Sequence, residues 1–415
     1  MMKMKTPTQV AITPPAGLRR RLGLPLLVLY GTGVTVGAGI YVLIGAVAGH
    51  AGVYSSWAFA LAAAVMALTG ASYAELATRY PVSAGEAAYV RAAFNSRLLS
   101  TAVGSLRLAT GIISAAAVTL GGAGYMGRLI ELPTPLIAVA IVAALGLVAA
   151  WGILESVMLA GLLTMIETGG LVWIIGSAIH SGVSFSPALF APPPLDAGVL
   201  SGITFASLLA FFAFVGFEDL ANVVEEAKSP QRNIPRAMAL TLLITSVLYL
   251  LIAAISVSAV PPSILATSTA PLSLVFSAVA GISPTTFNVI AVVSTLNTIL
   301  AQITMTARVV YGMAQQGDLP SIAARVHSRT GTPLIATGLI MLAVAALALL
   351  LPLERLAEIT SLATLTIFAL VNLSLLRIRS PHTRSDAALA RVPLWIPLLG
   401  LVTCVLMMGS TLFTP

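Results

Sequence analysis

The sequence predicts an all-α polytopic membrane protein, and two observations support this fold class. Hydrophobic residues make up 58% of the 415 residues and charged residues only 8%, with a mean hydropathy of +1.01. A water-soluble domain of this length would not show such a composition. Apolar stretches of about 20 residues, the length that an α-helix needs to cross a bilayer, recur along nearly the whole chain. They leave no segment long enough for a separate soluble domain.

Eleven spans can be placed in order along the chain, and the sixth is expected to be broken. They cover residues 24–49, 53–79, 97–126, 134–151, 155–180, 200–228, 237–260, 284–316, 334–351, 357–378 and 393–412. Because five is an odd number, spans one to five and six to ten would enter the membrane from opposite sides and form an inverted repeat. The predicted parts are a tail at 1–23, a first half at 24–180, a second half at 181–378, and a loop with an eleventh helix at 379–415.

The positive charges predict the orientation of the spans. The net charge is +7, and most Lys and Arg residues lie before span one or after even-numbered spans. They are Arg19, Arg20, Arg21, Arg79, Arg91, Arg97, Lys228, Arg232, Arg236, Arg325, Arg329, Arg377, Arg379, Arg384 and Arg391. By the positive-inside rule these parts face the cytoplasm. We therefore expect a plasma-membrane protein with a cytoplasmic N-terminus and an outside C-terminus, and we expect no nucleic-acid partner.

Glycines interrupt the first and sixth spans at matching positions. The stretch "YGTGVTVGAGIY" places Gly37 and Gly39 near the middle of the first span, and "FFAFVGFEDLANVVEE" places Gly216 near the middle of the sixth. Such a pair of interrupted segments is the best sequence pointer to a binding site at the centre of a transporter. GxxxG spacing also permits close helix packing, so the glycines alone leave packing and a binding break equally open.

Two breaks of this kind fit a zwitterionic ligand. Unwound backbone survives at membrane depth only where a cavity or a ligand satisfies its N–H and C=O groups. The half-helix that begins after Gly37 would direct free N–H groups and its positive dipole end at a carboxylate. Carbonyl oxygens freed between Phe212 and Val215 would face an ammonium group. The sequence therefore predicts that the ligand is an amino acid.

Four further stretches carry a family resemblance. They are "LGLPLLVLYGTGVTVGAGIYVLIGAVAGHAG" at 22–52, "ASYAELATRYPVSAGEAAYV" at 71–90, "FFAFVGFEDLANVVEEAKSPQRNIPRAM" at 211–238 and "RVVYGMAQQGDLP" at 308–320. With these motifs the chain resembles the amino acid-polyamine-organocation superfamily of permeases, in particular its cationic amino acid transporter branch. The resemblance implies a leucine-transporter-like five-plus-five inverted repeat with broken helices one and six. It also implies a secondary transporter, although the family usually has twelve spans.

The resemblance also implies a substrate site. Its residues here are Thr35, Gly37, Ala38, Gly39, Phe212, Ala213, Val215 and Phe217. Gly37 would allow the helix to bend, and Thr35, Ala38 and Gly39 would hold the carboxylate. Main-chain oxygens of Phe212, Ala213 and Val215 would hold the amine. Phe217 would either gate the site or simply pack against its surroundings. Backbone ligands of this kind do not identify the amino acid that is carried.

Glu167 is the candidate residue for ion coupling. It lies in the middle of the fifth span, where an ionised carboxylate is costly and is functional by default. In similar proteins this helix often carries a lysine, or it binds sodium. We expect Glu167 to carry a proton and to bond carbonyls of span one and Ser294 or Thr298, which predicts proton-coupled symport. Sodium binding, a fixed structural hydrogen bond and amino acid exchange remain as alternatives.

Glu218 and Asn222 are expected to line the inward pathway as gate residues. With Glu225 they recur at i, i+4 and i+7, which is one face of an α-helix. Glu218 and Asp219 would also be favoured in the first turn of a new helix by its dipole. Other polar residues are expected at the surface or at inner helix ends, namely Glu75, Glu86, Arg107, Arg308 and Tyr311.

Other functional classes find little support in the sequence. It contains no HExxH, GxSxG or GxxxxGK[ST] motif, which argues against an enzyme and against an ATP-driven pump. The four histidines lie at span ends or in loops and Cys404 is the single cysteine, so we expect no metal site and no cofactor besides the coupling ion. A channel is the remaining rival, because broken helices also build selectivity filters. Two unlike breaks in one chain favour a carrier. The sequence does not indicate an oligomeric state.

Overall fold

The computed structural model describes residues 20, 22–81, 85–151, 157–315, 317–327, 330, 332–379 and 391–411, and for 157–160 and 188 only the backbone. The helices are α1 (Leu24–Ala51), α2 (Ser55–Arg79), α3 (Gly85–Phe94), α4 (Arg97–Met126), α5 (Thr134–Trp151), α6 (Val157–Ser181), α7 (Ala197–Phe214), α8 (Pro230–Ala259), α9 (Pro262–Thr267), α10 (Pro271–Ala280), α11 (Pro284–Gln315), α12 (Leu334–Leu350), α13 (Leu353–Ile378) and α14 (Trp395–Ser410). The described ranges contain no β-strand, and the all-α prediction is confirmed.

The helices account for the eleven predicted spans. Eight described helical stretches are long and apolar enough to cross a membrane by length and composition. The first of these, Leu24–Arg79, contains both α1 and α2, while α12 and α14 are apolar but shorter. The prediction of a multi-pass membrane protein is therefore confirmed. Helices α3, α9 and α10 were not predicted, because they have only 10, 6 and 10 residues and are too short to be recognised as spans.

Some positions used for the predicted orientation lie outside the described residues. They are Arg19, Arg21, Arg329 and Arg384, together with most of the tail and of the loop before α14.

Helix α1 lies at the centre of the bundle. It packs against α4, α6, α7, α8 and α11, and every residue from Thr35 to Ala48 is buried. A helix that is apolar on all sides is expected to be surrounded by protein or lipid rather than by water. Its glycines let neighbouring helices approach closely; a Cβ on Gly45, for instance, would lie 2.5 Å from the carbonyl oxygen of Leu265. The middle of α1 is therefore enclosed by other helices and does not face lipid.

Glu75 and Glu86 are buried, which corrects the expectation that they lie at the surface. The Glu75 carboxylate accepts a hydrogen bond from Arg79 Nε at 2.8 Å and one from the backbone N–H of Val392 at 2.9 Å, with Arg379 Nη1 at 3.4 Å. Glu86 accepts a hydrogen bond from a tyrosine hydroxyl of α2 at 3.0 Å. Glu75 thus joins the end of α2 to the end of α13 and to the segment that leads into α14.

Replacing Glu75 with Gln is expected to lower the melting temperature of the detergent-purified protein. The amide keeps the shape of the side chain but leaves Arg79 and Arg379 without their carboxylate, and removing one partner of a buried pair costs about 3 kcal/mol. The control is Arg355→Gln, because Arg355 pairs with Glu358 while 57% exposed, and exposed pairs contribute about 0–1 kcal/mol. Equal melting temperatures for the two variants would contradict this role of Glu75.

Candidate functional site

Helix α1 departs from helical geometry at Gly37, within the glycine-rich stretch. Its φ of −7° and ψ of −152° lie outside the helical region. A Cβ on Gly37 would lie 2.9 Å from Thr298 Oγ1 on α11, and a Cβ on Gly39 would lie 2.5 Å from the Cα atom of Ala213 on α7. The two interpretations of these glycines therefore apply to different residues. Gly37 allows a break, and Gly39 allows close packing.

Helix α7 breaks beside the break in α1. It ends at Phe214, Val215 is extended, and Gly216 has a φ of +130°, which other residues rarely adopt. A Cβ on Gly216 would lie 2.7 Å from the carbonyl oxygen of Val34. The chain then continues in two 3₁₀ turns, Phe217–Ala221 and Val224–Glu226. The two interrupted segments predicted from sequence are thus in direct contact in the core.

Tyr249 of α8 connects the two breaks through its side chain. Its buried hydroxyl lies 2.9 Å from the carbonyl oxygen of Thr35 and 2.9 Å from that of Ala213. One hydroxyl has a single proton, so these two contacts form a three-centre hydrogen bond. Tyr249 is not predicted from the sequence, because it stands in the plain apolar stretch "SVLYLLIAA" with no motif around it.

A small cavity of about 20 Å³ lies between the breaks. It is lined by Val34, Thr35, Gly37, Ala38, Gly39, Ser114, Val118, Phe212, Ala213, Val215, Thr298 and Gln302. All of the predicted substrate residues except Phe217 are in this set, together with Thr298 from the predicted coupling group. The cavity has room for about one water molecule. An amino acid can bind only if the surrounding helices separate.

Phe217 is the predicted substrate residue that the structure places elsewhere. Its ring is fully buried, and its centroid lies 5.7 Å from that of Tyr73 and 5.7 Å from that of Phe368. It is not among the residues that line the cavity. In this conformation Phe217 packs between α2 and α13 and does not cover the site.

The backbone groups at the breaks already have partners in this conformation. The Ala38 N–H donates to Thr298 Oγ1 at 3.1 Å, so a carboxylate placed there would replace the threonine hydroxyl. The Phe212 carbonyl accepts from the N–H of Val215 at 3.2 Å, and the Ala213 carbonyl accepts from the tyrosine hydroxyl described above. A carbonyl oxygen has two lone pairs, so each of these two oxygens keeps one for an ammonium group.

Glu167 is buried on α6 and is not among the cavity-lining residues. Its Oε1 atom accepts a hydrogen bond from Asn297 Nδ2 at 3.0 Å, and its main-chain oxygen accepts one from the Tyr41 hydroxyl. The α11 partner that the structure describes is thus Asn297, next to the predicted Thr298. The Ser294 hydroxyl is buried with no hydrogen-bond partner in the described part of the chain. Asn297 is not predicted from the sequence.

A partly buried ionic cluster lies where the chain leaves the α7 break. Arg107 of α4 donates to Glu218 Oε1 at 3.1 Å and to Asp219 Oδ1 at 2.6 Å, and Asn222 Nδ2 donates to the same Asp219 oxygen at 3.1 Å. Glu218 Oε2 accepts the N–H of Gly216 at 2.8 Å, which satisfies a backbone group freed by the break.

This cluster corrects two expectations. Arg107 is the partner of two carboxylates and is not an anchor at a helix end. The segment after the break forms 3₁₀ turns, so the α-helical face expected for Glu218, Asn222 and Glu225 does not exist. Tertiary pairing with Arg107 explains the change, because it holds both adjacent carboxylates at once. Periodicity along one segment carries no information about such a partner on α4.

Comparison with known proteins gives a consistent result. The sequence model described as amino acid permease matches residues 22–415. The branched-chain amino acid permease BcaP of Bacillus subtilis is 29% identical over 93% of this chain and 87% of that protein. Cationic amino acid transporter 3, mitochondrial, of Arabidopsis thaliana is 30% identical over 87% of this chain and 63% of that protein. An uncharacterised transporter of Mycobacterium tuberculosis is 33% identical over 95% of this chain and 86% of that protein.

Replacing Tyr249 with Phe is expected to destabilise the protein, since two buried carbonyl groups lose their shared donor. Leaving a buried acceptor unsatisfied costs about 1–3 kcal/mol. The control is Tyr311→Phe, which removes a tyrosine hydroxyl that contacts Gln315 in an exposed position at 3.3 Å. Melting temperatures in detergent should fall clearly for Tyr249→Phe and little for the control. No difference between the two would show that the hydroxyl does not hold the breaks.

Proposed function

The chain belongs to the amino acid permease family, and from this premise we propose that it is a secondary active transporter of amino acids that works by alternating access. The observation that supports this proposal best is the cavity between two broken helices, which is lined by residues of both breaks. Peptide dipoles exposed at such breaks suit an ammonium and a carboxylate at once. Because lipid offers these groups no hydrogen bonds, the breaks are stable only with a polar ligand or with the internal side-chain partners described above.

The proposed architecture is an inverted repeat of 24–180 and 181–378, followed by the eleventh helix. It is supported by the contact between the break in α1 and the break in α7, since each of these helices begins one half. The proposed orientation places the N-terminus in the cytoplasm and the protein in the plasma membrane, in agreement with the distribution of Lys and Arg.

In this orientation two contacts would close the site toward the cytoplasm. The first is the cluster of Arg107 with Glu218 and Asp219, which lies about two helical turns along α4 from Ser114 in the cavity wall. The second is a short pairing of Leu22 with the segment after the last 3₁₀ turn, where the N–H of Lys228 donates to the Leu22 carbonyl at 2.8 Å. Inward opening would separate these groups, so Glu218 and Asn222 act as gate residues.

Glu167 is the proposed proton carrier. It bonds Asn297, and the next residue of α11, Thr298, holds the Ala38 N–H at the α1 break. A change in the protonation of the carboxylate alters its bond to Asn297 and thereby shifts α11 against the break. Two other forms of coupling use the same site, namely sodium binding and amino acid exchange without a net ion flux. In the exchange form Glu167 would be a fixed hydrogen-bond partner.

Purified protein in proteoliposomes is expected to take up labelled amino acids saturably. Unlabelled substrate on the opposite side should accelerate the uptake, because a carrier returns faster when its site is loaded. Liposomes without protein serve as the control. A current that rises linearly with voltage and shows no saturation with substrate would instead indicate a channel.

Glu167→Gln is expected to abolish accumulation driven by a pH gradient while exchange of internal for external substrate continues. The amide keeps the hydrogen bond to Asn297 but has no carboxylate to protonate. Glu131→Gln is the matched control, because Glu131 lies exposed in the loop between α4 and α5. Proton-driven accumulation that survives in Glu167→Gln would refute the assignment, and accumulation that follows a sodium gradient in the wild type would favour sodium coupling.

A further inference from the structure

Two polar side chains from helices that do not break bond each other at the cavity. Ser114 of α4 and Gln302 of α11 both line it, and Gln302 Nε2 donates a hydrogen bond to Ser114 Oγ at 2.8 Å. Val34, Val118 and Phe212 supply the apolar part of the wall. A substrate whose carboxylate and ammonium groups are held by the breaks of α1 and α7 would direct its side chain toward this wall.

The Ser114 and Gln302 pair retains unused hydrogen-bonding capacity. Gln302 Oε1 is a buried acceptor with no hydrogen-bond partner among the described residues. Ser114 accepts through its oxygen and still has its own proton to donate. The other hydroxyls of the cavity wall are engaged, because Thr35 donates to the Gly31 carbonyl and Thr298 donates to the Ser294 carbonyl. The wall therefore offers one acceptor and one donor side by side.

The cavity wall carries no charge. None of its lining residues is Lys, Arg, His, Asp or Glu. The Glu218 carboxylate is paired with Arg107, and the Glu167 carboxylate, which accepts from the neutral amide of Asn297, is not among the residues that line the cavity. A cationic or anionic side chain would lose its hydration here without meeting a counter-ion in the cavity wall, which is costly in an apolar interior. The family alone leaves this point open, since its members are described as carriers of branched-chain or of cationic amino acids.

Resting on the proposed function, we propose that the substrate is a small neutral amino acid with a hydroxyl side chain, serine or threonine, and that Ser114 and Gln302 determine this specificity. A hydroxyl group is both donor and acceptor, so it can donate to Gln302 Oε1 and accept from the Ser114 hydroxyl. An aliphatic side chain would leave the buried acceptor unsatisfied. The adjacent valines pack against the β-carbon of serine or the methyl group of threonine.

Specificity is tested by uptake into proteoliposomes at low substrate concentration, comparing serine with alanine and threonine with 2-aminobutyrate. Each pair differs by one hydroxyl group, and the wild type should favour the hydroxyl compound by about tenfold or more. Gln302→Met and Ser114→Ala should bring this ratio close to one. A merely structural role would lower both rates equally and leave the ratio unchanged. The matched control is Gln315→Met, because Gln315 lies exposed on the same helix.

The outcomes separate this inference from the function on which it rests. A wild-type preference for arginine, leucine or alanine over serine overturns the specificity and leaves the carrier standing, and so does an unchanged ratio in Gln302→Met. No uptake of any amino acid overturns both. If the variants do not fold, the melting temperature of the wild type tests the proposal, because a bound ligand raises it. Serine and threonine should raise it at concentrations where alanine and arginine do not, and the opposite order contradicts the proposal.

Discussion

The need to satisfy backbone N–H and C=O groups in an apolar interior governs this structure. A membrane helix meets that need by itself, so each interruption must be supported by neighbours. Here the support comes from three side chains on different elements: Tyr249 binds carbonyls of both breaks, Thr298 binds the N–H of Ala38, and Glu218 binds the N–H of Gly216. In this conformation, in which the cavity is small, these partners satisfy the polar backbone groups at the centre of the bundle. They are also the groups that a zwitterion would displace or join.

The same arrangement links the proposed binding site to the elements that would move in the proposed transport cycle. Thr298 and Asn297 are adjacent on α11, so the α1 break and Glu167 are held by one turn of one helix. Glu218 binds both the α7 break and Arg107 of α4, so the backbone at the site is continuous with the ionic cluster. The proposed alternating access requires each contact to exist in one conformation and to be lost in another. Shared hydrogen bonds at the proposed site would provide this coupling without any long-range element.

The sequence predicts the fold class and the positions of the breaks well, because both depend on local composition. Long apolar stretches identify the spans, and glycines at matching places identify Gly37 and Gly216. The sequence poorly predicts the side chains that surround the breaks and pair with them. Tyr249 and Gln302 stand in spans whose pattern does not mark them, and Arg107 meets its carboxylates only through tertiary packing. Glu75 and Glu86 were placed at the surface because charge is usually exposed, yet here buried polar partners satisfy them.

The central claim is that the two breaks hold the ammonium and the carboxylate of an amino acid. The most direct measurement is calorimetric binding of a transported amino acid to the purified protein, compared with its N-acetyl derivative and its methyl ester. Both derivatives keep the side chain, but each removes one of the two charges. The account predicts that either change weakens binding by about tenfold or more, since a charged group pairs more strongly than a neutral one. Equal affinity for all three compounds would contradict it.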